Sequence, residues 1–119
     1  MIQHYIKRLL KLKPYHKIDI NAYGEPIYLD ENNLLHRENG PALVHSEGTI
    51  AYYRHGKLHR TDGPARIFIN GHKEYFQNGE YHRTDGPAVI FSNKNEVYYI
   101  LGELLTKQEY LKIGGKLNY

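Results

Sequence analysis

The sequence predicts a mainly β protein: an antiparallel meander of tandem 23-residue β-hairpin repeats with short terminal α-helices. Three observations carry that prediction. The phrase His36-Arg37-Glu38-Asn39-Gly40-Pro41-Ala42 returns 23 residues later as His59 to Ala65 and again as His82 to Ala88. The aromatic pairs Tyr52-Tyr53, Tyr75-Phe76 and Tyr98-Tyr99 keep the same count, each followed by a glycine at Gly56, Gly79 or Gly102. Between these landmarks lie short β-type runs broken by turn residues. A fixed period of this size marks stacked supersecondary units rather than a pocketed enzyme.

The chain divides into three parts. Residues 1–20 read as a basic amphipathic N-terminal helix, with Ile2, Tyr5, Ile6, Leu9, Leu10 and Leu12 on one side, His4, Lys7, Arg8 and Lys11 opposite, and Pro14 ending it. Such a helix serves as a cap over the open end of a repeat array, or as a membrane-surface or partner helix; the cap is favoured because a first unit has an apolar face to cover. Residues 21–105 hold the hairpin repeats, beginning with a degenerate unit at Ile27-Tyr28-Leu29 and Leu34-Leu35. In each unit one strand follows proline, as in Ala65-Arg66-Ile67, and a second carries the aromatic pair. An Asn70-Gly71 or Ser92-Asn93 turn joins them, since these residues tolerate positive φ. Alternation puts Ala65 with Ile67 on one face and Leu43, Arg66 and Val89 on the other. Residues 106–119 read as a C-terminal capping helix and tail, opened by the capping box Thr106-x-x-Glu109 and closed by Gly114-Gly115.

Composition narrows the function. No Cys is present, which removes disulfides, thiolate nucleophiles and zinc-thiolate sites. Apolar runs are too short for a membrane span, so the expected location is cytoplasmic. Five of the 16 basic side chains fall in residues 1–18 with no acid among them, so the repeats are slightly acidic despite a pI near 9.0. The basic pI is therefore a weak argument for nucleic-acid binding by the repeats. No catalytic motif stands out, and neither an enzymatic activity nor a cofactor is expected.

The repeated loop has two readings. As scaffolding, Asp before Gly accepts backbone N–H bonds, Gly63 takes an unusual φ, and Arg60 pairs with Asp62 as Arg83 does with Asp85. As a ligand ladder, His59, Arg60, His82 and Arg83 face phosphates or an acidic protein surface. Two strands per repeat place equivalent side chains about 10 Å apart, too far for His36, His59 and His82 to share a metal with bonds of about 2 Å. The tyrosines are either cross-strand packing or stacking platforms. Candidate binding residues are Tyr52, Tyr53, Tyr75, Tyr98, Tyr99, His59, Arg60, His82 and Arg83, with exposed Tyr expected to carry most of the contact.

At Tyr53-Arg54-His55-Gly56-Lys57-Leu58-His59 the unit resembles a MORN repeat, over about residues 27 to 105. The His-Arg-x-Asp-Gly-Pro-Ala repeats, with Leu105 to Glu109 closing them, are also similar to small bacteriophage and large-virus proteins. That resemblance implies a viral accessory protein in the host cytoplasm and supplies no activity. The expected partner is a host protein, such as a defence protein that it inhibits. The alternative is a nucleic acid or nucleotide, and both a monomer and an oligomer stay open.

Overall fold

The computed structural model describes residues 13–113, whose 13 strands run in chain order through an antiparallel meander. The strands are β1 (Lys17–Ile20), β2 (Pro26–Leu29), β3 (Leu43–Val44), β4 (Ile50–Ala51), β5 (Tyr53–Arg54), β6 (Lys57–Leu58) and β7 (Arg66–Ile67). They continue as β8 (Lys73–Glu74), β9 (Phe76–Gln77), β10 (Glu80–Tyr81), β11 (Val89–Ile90), β12 (Glu96–Ile100) and β13 (Glu103–Leu105), and a helix over Lys107–Ile113 follows. The principal sheet has the order β1-β2-β3-β4-β7-β8-β11-β12-β13, while β5–β6 and β9–β10 are separate two-stranded ribbons.

Two kinds of hairpin alternate. The outer ones close through five-residue turns at 21–25, 45–49, 68–72 and 91–95, each with the same pair of backbone bonds: Phe68 N–H donates to His72 C=O (2.9 Å) and Gly71 N–H to Phe68 C=O (3.0 Å). Asn70 Oδ1 also accepts from His72 N–H at 3.0 Å, which is why asparagine suits that place. The inner hairpins turn at His55-Gly56, Asn78-Gly79 and Leu101-Gly102, where both residues of each pair have positive φ. That is the two-residue type I′ turn whose twist matches its strands. The sequence predicts one hairpin in each unit; the second is this ribbon, hidden because His55 and Leu101 stand where Asn78 alone has the expected turn chemistry.

One row of side chains crosses the principal sheet through Ile27, Leu43, Ala51, Arg66, Glu74, Val89 and Val97. Ala42, Ala65 and Ala88, each directly after the proline of a loop, are wholly buried. Aromatic stacking adds thickness: Phe76 on Tyr81 at 4.3 Å between centroids, and Tyr81 on Tyr99 at 4.9 Å. The core is accordingly a thin layer, and the molecule measures 53 × 41 × 20 Å.

The helix read over residues 2–12 lies outside the described residues. Within the segment assigned to the N-terminal cap, Lys17–Ile20 instead form β1, paired with β2 along its whole length. At the other end the capping box is present: Glu109 N–H donates to Thr106 Oγ1 (3.1 Å) and Thr106 N–H to Glu109 Oε1 (2.9 Å). Among the described residues no helix is long and apolar enough to cross a membrane.

Candidate functional site

The His-Arg-x-Asx-Gly-Pro loops lie in a row beside the inner hairpins, and the same bonds recur in each at 23-residue intervals. Arg37, Arg60 and Arg83 donate through Nε to Asn39, Asp62 and Asp85 at 3.0–3.1 Å, and through Nη1 to the carbonyls of Pro41, Pro64 and Pro87. Each guanidinium lies 3.9 Å above a ring, Arg37 on Tyr28, Arg60 on Tyr52 and Arg83 on Tyr75. The Arg60–Asp62 and Arg83–Asp85 pairs are therefore as the sequence anticipated.

Two details of that reading change. Asp62 and Asp85 accept from arginine Nε rather than from backbone N–H groups. Gly40, Gly63 and Gly86 do not have positive φ. Instead the arginine lies on the glycine: a Cβ at Gly63 would stand 3.0 Å from Arg60 Cζ, and one at Gly86 2.7 Å from Arg83 Cζ, so a larger residue would push the guanidinium out of its place.

The histidines act as ties between units. His36 Nδ1 accepts the backbone N–H of His55 (3.0 Å), His59 Nδ1 that of Asn78 (3.0 Å), and His82 Nδ1 that of Leu101 (2.9 Å). Each donor is the first residue of the next type I′ turn, 19 positions on. A backbone N–H can only donate, so each ring is held with Nδ1 unprotonated. Burial depresses the His59 and His82 pKa below the ordinary 6.5; the Arg54 charge adds to this at His59, and Glu80 opposes it at His82.

Three buried carboxylates went unnoticed in the sequence. Glu25 accepts from Asn21 Nδ2, His45 and Ser46 N–H, which together pull its pKa down to about 2 against the effect of burial. Asp30 accepts from Asn32 and Leu34 N–H through Oδ1 and meets His55 Nδ1 through Oδ2 at 2.7 Å; the His55 bond is the main cause of its lowered pKa. Burial pushes the Glu74 carboxyl up, but Arg66 (2.6 Å), His72 (3.2 Å) and Tyr81 (3.1 Å) outweigh it and hold it below the usual carboxylate range. The available signal was departure from the repeat: Glu74 stands where the other units have Ala51 and Val97, and Arg66 where they have Leu43 and Val89.

Among the described residues, Asp30, His36 and His55 have ligand-type atoms within 4.8 Å of one another. The tie at His36 argues against a metal there. Its Nδ1 lone pair receives the His55 N–H, so its proton sits on Nε2, 3.1 Å from Glu38 Oε1. Metal on Nε2 would shift that proton to Nδ1, against the N–H it now accepts. The His36 and His55 rings are also stacked, 4.1 Å apart with 30° between planes, so their in-plane lone pairs do not converge.

What the row leaves open is the space between loops. One cleft of about 340 Å³ lies between the first and second loops, bounded by Arg37, Gly40, Tyr52, Arg60 and Asp62. The equivalent space between the second and third loops, about 580 Å³, is bounded by Arg60, Gly63, Tyr75, Arg83 and Asp85. Of the candidate binding residues, Tyr52, Tyr75, His59, Arg60, His82 and Arg83 line these clefts. Tyr53 pairs with Leu58 inside its ribbon, Tyr99 stacks on Tyr81, and Tyr98 packs on Tyr110 of the C-terminal helix. All five tyrosines are half-buried rather than exposed. Comparison with family models, curated proteins and solved structures gives no match.

Proposed function

We propose that this chain is a non-enzymatic binding protein, of the viral accessory kind, whose row of loops contacts a host or defence protein in the host cytoplasm. The observation that supports this reading is the pair of equivalent clefts set on a frame whose own Arg, His and Asp groups are tied to one another. A frame of that kind positions a contact surface repeatedly, and its histidines are engaged in structure rather than poised as acid or base.

The loop geometry weighs against the nucleic-acid alternative. Arg60 and Arg83 spend their Nε and Nη1 donors within the loop, and the Asp62 and Asp85 side chains beside them are 84% and 86% exposed, presenting negative charge to any phosphate.

Capture from bacterial lysate tests the reading. A stoichiometric protein partner is expected, lost from Thr61→Trp, because Thr61 is exposed and borders both clefts. The Arg60→Lys, Arg83→Lys double variant should lose about 1–2 kcal/mol of stability, because lysine keeps charge but not the fork. Turnover of a substrate with no partner recovered would overturn the proposal.

A further inference from the structure

The third loop has no following loop to face, and the C-terminal helix takes that place. Tyr110, itself buried, inserts its phenol there: its hydroxyl accepts from Gly86 N–H at 2.8 Å and donates to Arg83 C=O at 3.1 Å. Its ring packs on Tyr98, with centroids 4.6 Å apart. One hydroxyl thus satisfies a donor and an acceptor that the loop presents side by side, and an aromatic wall positions the ring that bears it.

The first and second loops present the same pair of backbone groups. Gly40 N–H and Gly63 N–H have no hydrogen-bond partner among the described residues, and neither do Arg37 C=O and Arg60 C=O. The walls correspond too, since Tyr52 and Tyr75 hold the places in their units that Tyr98 holds in the last. Their outer faces carry Arg60 and Arg83 at 3.9 Å, so an incoming ring would meet a guanidinium plane. Both clefts, at about 340 and 580 Å³, have the size of ordinary ligand pockets.

We propose that the clefts after the first and second loops are tyrosine-docking slots, each receiving a phenol from a partner polypeptide as the third loop receives Tyr110. The hydroxyl must both accept and donate, which a carboxylate does not do. The guanidinium plane that Arg60 or Arg83 presents over its tyrosine favours an aromatic ring over a serine hydroxyl. This inference rests on the protein-binding reading above and names the group on the partner that the loops recognise.

The test uses the full chain labelled with ¹⁵N and a synthetic peptide with the sequence of residues 105–113, beside the same peptide with Tyr110→Phe. The tyrosine peptide should shift the Gly40 and Gly63 amide resonances and leave Gly86 in place. The phenylalanine peptide should bind at least tenfold more weakly, and Thr61→Trp should abolish the response. A Tyr110→Phe variant of the chain should expose Gly86 N–H to rapid hydrogen exchange. Unmoved Gly40 and Gly63 resonances at millimolar peptide, or equal shifts from both peptides, would overturn the slots. A lysate partner that still binds Thr61→Trp would also overturn them while leaving the binding-protein reading standing. Peptide-responsive slots with no lysate partner would sink that broader reading alone.

Discussion

Glu74 interrupts a row that is otherwise apolar except for its neighbour Arg66, and the two side chains meet at 2.6 Å with Glu74 almost wholly buried. Removing one member of such a pair strands the other, whereas removing both returns the row to the composition of the adjacent units. Because the Arg66 side chain is 32% exposed and reaches water, Glu74→Ala should cost about 2 kcal/mol rather than the larger penalty of a sealed pair. Adding Arg66→Leu should restore stability to within about 1 kcal/mol of the parent, read from urea midpoints. A double variant as weak as the two singles summed would refute this. The pair also shows what the sequence hid. Arg60 with Asp62 was legible because two residues of one loop repeat together, but Glu74 occurs in one unit and looked like ordinary variation. Nothing local announces that its side chain is enclosed.

At the scale of elements, the inner hairpins are too short to stand alone, with two residues in each strand of β5–β6 and β9–β10. Each is tied to the preceding unit at its turn by two bonds, as where His59 Nδ1 accepts from Asn78 N–H and Leu58 C=O from Gly79 N–H. The first of these requires a neutral ring. Since burial lowers the folded pKa of His59 and His82 below the ordinary 6.5, the unfolded chain takes up protons more readily. Their contribution is complete above about pH 6.5 and declines as pH falls through that value toward the folded pKa. Urea unfolding at pH 7.5, 6.5 and 5.5 should show falling stability. His59→Gln with His82→Gln should flatten the fall, because a glutamine oxygen can accept the same N–H without titrating. An unchanged slope would exclude the ties as its source. The outer hairpins could be read from Asn70-Gly71, but the ties could not, because each partner lies 19 residues away in the next unit.

At the scale of the molecule, the meander joins each unit to its immediate neighbours, and the C-terminal tie from Tyr110 reaches back 27 residues to Arg83. Removing residues 60–82 should therefore leave a chain that still folds: His59 would run into Arg83, Tyr52 would lie where Tyr75 now meets Arg83, and the row would become Ala51 beside Val89. The whole Arg66–Glu74–Tyr81 cluster would leave with the deleted unit. Circular dichroism and a single cooperative melt should show a folded protein, whereas removal of residues 61–80 breaks the register and should not fold. Failure of both deletions alike would mean that the units are not interchangeable.

The nearest-neighbour wiring also decides how this molecule answers to a pull. With no bond clasping one end of the array to the other among those described, tension on the termini would bear on one turn at a time instead of on the whole sheet. A 23-residue unit released in this way pays out roughly 75 Å of chain at about 3.3 Å per residue. The array would lengthen in a succession of similar yields, like a chain of small fasteners, and each unit still closed would keep its own loop in shape.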